Sequence, residues 1–266
     1  MAVDPTSTQR TWRLTDTHVD LSGTKTSNKG AATFAARPQS LTIDLTTTAL
    51  IIVDMQNDFC TEGGWLHAQG VDVTPLAAAV RPIADLADAL RSRAVPVIWL
   101  NWGNRPDRRN LPPGVSHVYD PFGRGGGIGA SVALSDAVLT EGSWGAQIVD
   151  ELHVAPEDTH VAKYRMSGFF DTELDSILRQ GRIETLLFAG VNADQCVYAT
   201  LADAACLGYD VVFVEDASAT TSPGYCLDAT LYNVRQCFGF TATAGDITTS
   251  ITPRATMHDL NNQGDK

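Results

Sequence analysis

Thr185-Leu-Leu-Phe-Ala-Gly-Val-Asn-Ala-Asp-Gln-Cys196 joins a continuous apolar run to an alanine-rich segment that extends to Gly208. The apolar run predicts a strand buried on both faces, and the polar corner after it predicts a turn into a helix. A thiol in the first turn of a helix lies at the positive end of the helix dipole, which favours the nucleophilic thiolate. We therefore take Cys196 as a candidate nucleophile, against the alternative that it is a small buried apolar side chain.

The alternation of strand and helix recurs through the rest of the chain. Further buried strands are predicted from apolar runs at 49–53 and 96–100, and two more strands are predicted at 160–162, which is brief, and at 210–215. Apolar residues at helical spacing between 73 and 93 predict a helix that links the first two of these strands. The sequence thus predicts an α/β fold with a parallel, doubly wound sheet and helices on both faces. In such sheets, sites form at the carboxyl ends of strands.

Composition and charge limit the classes of function. The 266 residues are 44% hydrophobic and 19% charged, which is the balance of an ordinary globular domain. A net charge of −12 without a basic patch argues against nucleic acid as a partner. Five cysteines without paired or metal-binding spacing favour neither a disulfide framework nor a zinc site. Because no stretch is apolar enough to span a membrane, we expect no membrane partner and predict a cytoplasmic protein.

The first 40 residues differ in character from the remainder. Residues 1–40 are rich in Thr, Ser, Lys and Gly without a sustained period, so we expect an N-terminal arm laid over the domain or a neighbouring subunit. Residues 41–266 form the predicted domain. Within it, residues 101–145 are too long for a routine connection and predict a functional loop. A GxGxxA match at 125–130 has no strand before it, which disfavours a dinucleotide site.

Two charged residues follow predicted strands in the same way as Cys196. Asp54 follows the run at 49–53, and Lys163 follows the run at 160–162. All three side chains are therefore expected at one edge of the sheet. Taken singly, each has an alternative: Asp54 as a helix or turn cap, Lys163 as a surface charge and Cys196 as a core residue. A carboxylate can take the thiol proton and return it to a leaving group, and an ammonium stabilises both anions. No histidine occupies a comparable strand end, so a Cys–His pair is the weaker choice.

Three parts of the sequence resemble the signature segments of the isochorismatase-like cysteine hydrolases: Leu50–Phe59, Lys163, and Gly190–Val197. The resemblance covers roughly residues 40 to 245. It implies a three-layer α/β/α sandwich with a Rossmann-like sheet, and a catalytic triad of Asp54, Lys163 and Cys196.

The family resemblance also implies features that no pattern in the sequence shows by itself. A cis peptide is implied between Val191 and Asn192, and an oxyanion hole from the backbone N–H groups of Asn192 and Cys196. Nicotinamidases of the superfamily often hold a metal through an Asp-x-His segment, but residues 54–64 contain no histidine. We therefore expect no metal, and no cofactor.

Within the superfamily, the chain resembles the biuret and triuret hydrolases. The resemblance lies in three segments, Lys163–Asp171, Ala219–Pro223 and Ala229–Gly239. It implies that Phe59 forms an aromatic wall of the pocket and that Gln236 binds substrate, the alternatives being a core phenylalanine and a surface glutamine. The implied reaction converts biuret to allophanate and ammonia through a thioester intermediate.

Other functions remain open at this point. Triuret and ureidoacrylate share the chemistry, and the carboxylate of ureidoacrylate needs a partner for which Arg165 or Arg235 is available. From another class, the chain could be a catalytically silent relative that serves as a structural or binding subunit. The expected partners are a small-molecule amide and further copies of the chain, since the family and the N-terminal arm suggest a homotetramer.

Overall fold

The computed structural model describes residues 10–23 and 30–251. Within these residues the strands are β1 Arg13–Leu14, β2 His18–Asp20, β3 Ala31–Phe34, β4 Ser40–Asp44, β5 Thr48–Val53, β6 Val97–Trp102, β7 Thr159–Lys163, β8 Thr185–Gly190, β9 Asp210–Ser218 and β10 Phe240–Ala242. The α-helices are α1 Asn57–Cys60, α2 Trp65–Ala68, α3 Val80–Arg91, α4 Pro113–Tyr119, α5 Leu174–Gln180, α6 Tyr198–Cys206, α7 Gly224–Asn233 and α8 Ala244–Ile251. Two π-helical turns, Ala193–Val197 and Val234–Phe238, adjoin α6 and α7.

Six strands form the central sheet in the order β10-β9-β8-β5-β6-β7, and every neighbouring pair is parallel. The two strands at its centre, β5 and β8, are buried along their whole length, as their continuous apolar sequences require. Helix α3 packs on the sheet and on α8, and α6 packs on β9. The predicted α/β fold, with a parallel sheet flanked by helices, is confirmed.

The centre of the sheet brings the ends of two strands together. β5 and β8 are in register, and their last residues, Val53 and Gly190, lie opposite each other. Gly190 has a φ of 115°, and a Cβ at this position would lie 2.1 Å from the carbonyl oxygen of Val53. Only glycine fits there, because it lacks the Cβ and tolerates positive φ. The next residues, Asp54 and Val191, therefore leave the sheet side by side.

A smaller sheet with the strand order β1-β2-β4-β3 covers one edge of the central sheet. Its strand β3 packs on α8. Arg37, which lies between β3 and β4, exchanges two backbone hydrogen bonds with Thr241 on the edge strand β10. Trp12 packs on Phe240 of the same strand, with ring centroids 5.9 Å apart. These contacts protect an edge strand that would otherwise expose unpaired backbone groups.

The small sheet occupies much of the segment predicted as an N-terminal arm. Strands β1 to β3 lie within residues 1–40, and β4 continues across the predicted boundary to Asp44. Residues 1–9 and 24–29 of the predicted arm lie outside the described residues. In the described part of the chain, no helix has the length and apolar character needed to cross a membrane.

Candidate active site

The carboxyl ends of β5 and β7 hold a buried ion pair. Asp54 follows β5, Lys163 ends β7, and Lys163 Nζ lies 2.8 Å from Asp54 Oδ2. Both side chains are at most 1% exposed. Lys163 Nζ also donates to the carbonyl oxygen of Arg165 at 3.3 Å and lies 4.3 Å from the ring centroid of Trp102. A buried pair of this kind needs such further partners, because burial removes the hydration of both charges.

The backbone of β6 fixes the carboxylate from the other side. The N–H of Trp102 donates to Asp54 Oδ1 at 3.1 Å and to Gln56 Oε1 at 2.8 Å. Asp54 itself has a φ of 52°, which is uncommon for a residue other than glycine. Burial raises the pKa of Asp54, although the charge of Lys163 and the donated hydrogen bonds oppose the shift. The carboxyl is therefore a stronger base than an exposed aspartate.

Cys196 completes this group from the turn that follows β8, the strand next to β5. Its Sγ is close enough to hydrogen-bond the Asp54 carboxylate, and it lies 3.6 Å from Met166 Sδ. The cysteine is 5% exposed, whereas Met166 is 37% exposed, so the thioether shields the thiol from solvent. The three residues predicted from strand ends, Asp54, Lys163 and Cys196, thus lie together.

The protonation state of the thiol differs from the sequence-based expectation. Burial raises the pKa of Cys196 to about 12, since the stabilising charge of Lys163 is countered by the negative charge of Asp54. Moreover, Cys196 lies in the π-helical turn Ala193–Val197, one turn before α6, rather than in the first turn of an α-helix. The resting sulfur is therefore a thiol, and a base must take its proton during the reaction.

A second loop holds the turn that carries the cysteine. The turn and the segment after β9 are joined by Ala193 N to Ala219 O at 2.9 Å, Thr221 N to Asn192 Oδ1 at 3.1 Å, Thr220 Oγ1 to Asp194 Oδ1 at 2.5 Å and Gln195 Nε2 to Ser222 Oγ at 3.3 Å. The peptide bond between Val191 and Asn192 is cis. Because the hydrogen bonds span the whole turn, the position of Cys196 depends on residues about 25 positions later in the sequence.

Aromatic side chains pack against one side of the group formed by Asp54, Lys163 and Cys196. Trp102 and Tyr119 have ring centroids 5.3 Å apart, Tyr119 and Trp65 5.0 Å, and Trp65 and Phe59 6.3 Å. Burial, followed by the negative charges of Cys196 and Asp54, raises the pKa of Tyr119, which places this tyrosine beside the thiol. Phe59 is thus buried at the far end of the aromatic cluster.

Sequence analysis did not identify Trp102 or Tyr119. Trp102 is the last residue of β6 and obeys the strand-end rule that selected Asp54 and Lys163, so that rule could have found it. Tyr119 ends α4 in the long connection predicted over residues 101–145. Nothing in the local sequence indicates that this connection folds back over the site.

A buried carboxylate holds the long connection in place. Asp58, on α1, accepts hydrogen bonds from the backbone N–H groups of Leu139 at 2.7 Å and Trp65 at 3.1 Å. Burial raises the pKa of Asp58, and these donated bonds oppose the shift. Within the same connection, Asp120 accepts from the N–H groups of Arg124 and Gly125, both at 2.8 Å. Two backbone N–H groups of the glycine run thus already donate to the carboxylate of Asp120. A phosphate bound by this run would need the same donors.

Gln236 and the two arginines lie in different surroundings. Gln236 is exposed in the π-helical turn Val234–Phe238, and no hydrogen bond joins it to the catalytic group in the described residues. Arg235 is held by Glu215 at 2.7 Å and Thr241 at 2.8 Å. Arg165 lies two residues after Lys163, and its Nη2 is 3.0 Å from the exposed Asp171. Of the two arginines, Arg165 is the one whose backbone contacts Lys163.

The described residues contain no group of three His, Cys, Asp or Glu side chains that could hold a metal ion. The arrangement around Asp54 has the groups needed for proton transfer and nucleophilic attack. In this group a base, the carboxylate of Asp54, contacts both a thiol, that of Cys196, and a fixed positive charge, that of Lys163.

The Isochorismatase domain model matches residues 48–246, most of the chain. The chain belongs to the isochorismatase family. Among the relatives of this isochorismatase-family protein, the ureidoacrylate amidohydrolase RutB of Rhizobium rhizogenes is 35% identical over 225 residues. The match covers 85% of the chain and 92% of the relative.

Solved structures agree with this assignment. A cysteine hydrolase from Pseudomonas syringae pv. phaseolicola 1448A is 26% identical with a TM-score of 0.67, covering 79% of the chain and 94% of that structure. An N-carbamoylsarcosine amidase from Thermoplasma acidophilum is 27% identical with a TM-score of 0.58, covering 76% and 98%. The isochorismatase-like superfamily expected from the sequence is therefore confirmed, and the biuret and triuret branch stays a prediction.

Proposed function

We propose that this isochorismatase-family protein is a cysteine amidohydrolase that cleaves a small ureido acid, with ureidoacrylate as the model substrate. The observation that carries the proposal is the buried contact of Asp54 with both Lys163 Nζ, at 2.8 Å, and the Cys196 thiol. A high-pKa thiol needs a base in contact with it, and a buried carboxylate with a raised pKa is suited to that task.

The reaction follows from these contacts. Asp54 takes the proton of Cys196 as Sγ attacks the carbonyl carbon of the urea group. Backbone N–H groups of Asn192 and Cys196 stabilise the oxyanion in this proposal. The C–N bond then breaks, Asp54 returns the proton to the departing nitrogen, and a carbamoyl thioester remains on Cys196. Water deprotonated by Asp54 hydrolyses the thioester, which releases carbamate and regenerates the thiol.

Two observations support a ureido acid as the substrate class. The names of two similar proteins, ureidoacrylate amidohydrolase and N-carbamoylsarcosine amidase, both describe a carbamoyl group on a carboxylic acid. In this chain, Arg165 lies beside the catalytic lysine, and its ion-pair partner Asp171 is exposed, so a substrate carboxylate can exchange with it at low cost. Arg235 is held on both sides and is not available for this role.

Biuret or triuret is the second candidate, favoured by the resemblance of Lys163–Asp171 to hydrolases of that branch. Both compounds are uncharged, so they need donor and acceptor groups rather than an arginine. The same nucleophile and base would convert biuret to allophanate and ammonia. The two candidates therefore differ in what binds the part of the substrate remote from the reacting carbonyl. They also differ in the nitrogen that leaves: the substituted nitrogen of a ureido acid leaves a carbamoyl thioester on Cys196, whereas ammonia leaves from biuret and an allophanoyl thioester remains.

Ammonia release from ureidoacrylate, biuret and triuret, measured with wild type and Arg165→Gln, separates the candidates. If ureidoacrylate is the substrate, Arg165→Gln raises its KM about tenfold or more, because a hydrogen bond to a charged group contributes about 1.5–3 kcal/mol. Arg235→Gln is the matched control and should lower Tm without raising KM. Turnover of biuret with no effect of Arg165→Gln would overturn the ureido-acid proposal, and no turnover of any of the three would overturn both.

We further propose a cytoplasmic homotetramer that uses neither metal nor cofactor. The five free cysteines fit a reducing compartment. Tyr225 and Tyr232 lie seven residues apart on α7 and are 73% and 65% exposed, an apolar face that a second copy could cover. Light scattering tests the assembly, and a mass of one chain would contradict it. Activity that a strong chelator removes and an added metal restores would contradict the metal-free proposal.

A further inference from the structure

The indole of Trp102 has an unusual feature: its N–H is buried without an acceptor. Trp102 is 1% exposed, and among the described residues Nε1 has no hydrogen-bond partner. The indole N–H groups of Trp65 and Trp99, in contrast, each donate at 2.8 Å, to Gly126 O and Asp158 Oδ2. A buried donor left unpaired destabilises a protein, so an exception in a folded structure calls for an explanation.

Trp102 contacts all three members of the catalytic group. Its backbone N–H donates to Asp54 Oδ1 at 3.1 Å, and its ring lies against Lys163 Nζ, 4.3 Å from the centroid. The Trp102 side chain is also among the hydrogen-bonding groups that lower the pKa of the Cys196 thiol, which places the indole beside the sulfur. A protonated thiol is only a weak acceptor, whereas a thiolate is a strong one. The indole N–H thus lacks a strong acceptor while Cys196 is a thiol, and it is positioned to donate once Cys196 becomes a thiolate.

We infer that the Trp102 indole N–H is a catalytic hydrogen-bond donor, which binds the Cys196 sulfur while that sulfur carries negative charge. The inference rests on the proposed function only in taking Cys196 as the nucleophile. As Asp54 takes the proton from Sγ, the indole N–H donates to the developing thiolate and transfers no proton itself. When the thioester breaks down, the Cys196 sulfur leaves the carbonyl carbon as a thiolate, and the same donor stabilises it.

The surroundings explain why an uncharged donor is useful here. The titratable groups that face the sulfur are Asp54 after β5, Lys163 on β7 and Tyr119 on α4. Asp54 opposes negative charge on sulfur, and the charge of Lys163 is already paired with Asp54. The backbone of Trp102 is fixed at the end of β6, between β5 and β7, and its ring packs against Tyr119 with centroids 5.3 Å apart. A donor fixed before the reaction needs no reorganisation when charge develops.

Trp102→Phe removes the donor and keeps an aromatic ring against Lys163. We expect the rate of Cys196 alkylation by iodoacetamide to fall about tenfold, and kcat/KM to fall about ten- to a hundredfold, since hydrogen bonds to charged groups contribute about 1.5–3 kcal/mol. Incorporation of benzothienylalanine at position 102, which replaces the N–H by sulfur and keeps the shape of indole, should give the same losses with an unchanged Tm. The control, Trp99→Phe, removes a buried indole N–H from the same strand and should lower Tm while leaving alkylation unchanged.

The outcomes distinguish this inference from the proposed function. Wild-type enzyme that loses activity with one label on Cys196 establishes the nucleophile independently of Trp102. If the benzothienylalanine variant then alkylates at the wild-type rate, the indole N–H has no part in stabilising the thiolate. Equal losses of alkylation in Trp102→Phe and Trp99→Phe would assign the effect to packing and would also overturn the inference. If wild type is not inactivated by labelling, the proposed function itself is wrong.

Discussion

The two π-helical turns of this protein have the same local geometry and different surroundings. In Ala193–Val197, three of five residues are buried, including Cys196, and four hydrogen bonds join the turn region to the segment after β9. In Val234–Phe238, Val234 alone is buried and Gln236 is exposed. A π-helical turn often marks a functional site, and the proposed function places the nucleophile in the enclosed turn of the two.

The second turn has anchors of its own, and they serve the fold. Arg235 links it to Glu215 on β9 and Thr241 on β10, and the ring of Phe238 packs edge-on against Tyr198 with centroids 5.9 Å apart. These contacts fasten α7 to the edge of the sheet. Substitutions in the first turn should therefore change activity, and substitutions in the second should change stability.

Cys196→Ser should give the largest effect. A serine hydroxyl at this position ionises far less readily than a thiol, and we expect turnover to fall at least about a thousandfold while Tm changes little. Ammonia release and thermal unfolding are the measurements. Retention of more than a few per cent of wild-type activity would mean that the first turn does not carry the nucleophile.

Asp54→Asn should reduce kcat/KM by about a hundredfold or more, because one carboxylate moves the proton in both half-reactions. The pH profile provides a second check. Activity requires the carboxylate form, so in the wild type it should be lost as pH falls through the Asp54 pKa, which burial raises above its usual value. The residual activity of Asp54→Asn should lack this acid limb. An unchanged limb would assign it to another group.

Thr220→Val tests the anchors of the first turn with a change of a single hydroxyl. Loss of its bond to the Asp194 carboxylate should lower kcat by about tenfold or more, since a hydrogen bond to a charged group contributes about 1.5–3 kcal/mol. The matched substitution for the second turn is Thr241→Val, which removes the hydroxyl that holds Arg235. It should lower Tm and leave kcat unchanged. The comparison fails if the two variants behave alike.

Gln236→Ala should have the smallest effect. An exposed side chain without a partner in the described residues should change KM for any substrate by less than about threefold. The resemblance to biuret hydrolases gives the opposite expectation, that Gln236 binds substrate. A tenfold or larger rise in KM for biuret would show that the second turn reaches the bound substrate, and it would favour the biuret branch.

The sequence was most informative where burial is continuous. The run before Asp54 and the run six to eleven residues before Cys196 are buried on both faces and predict parallel strands most clearly. The short strand before Lys163 alternates between buried and exposed residues. The small N-terminal sheet was not predicted, because its strands have two to five residues and show no readable period.

Other properties of the site depend on contacts between distant segments. The raised pKa of Cys196 results from enclosure by elements that start more than 100 residues apart, which a local helix-dipole argument cannot include. Tyr119 reaches the site through an irregular connection whose path is set by Asp58 and its two backbone donors. Neither effect has a signature in the sequence around the residue concerned.

The π-helical turn at Ala193–Val197 also has a consequence for how the gene can change. A π-helical turn holds one residue more than the α-helical turn it replaces. Deletion of a single codon between Asn192 and Cys196 would replace the wide turn by an ordinary α-helical one and so change the position of the remaining thiol relative to Asp54. Such a deletion would leave the strand, the helix and the composition almost intact and remove the chemistry. Length between these two residues is therefore as strict a requirement as the identity of the cysteine.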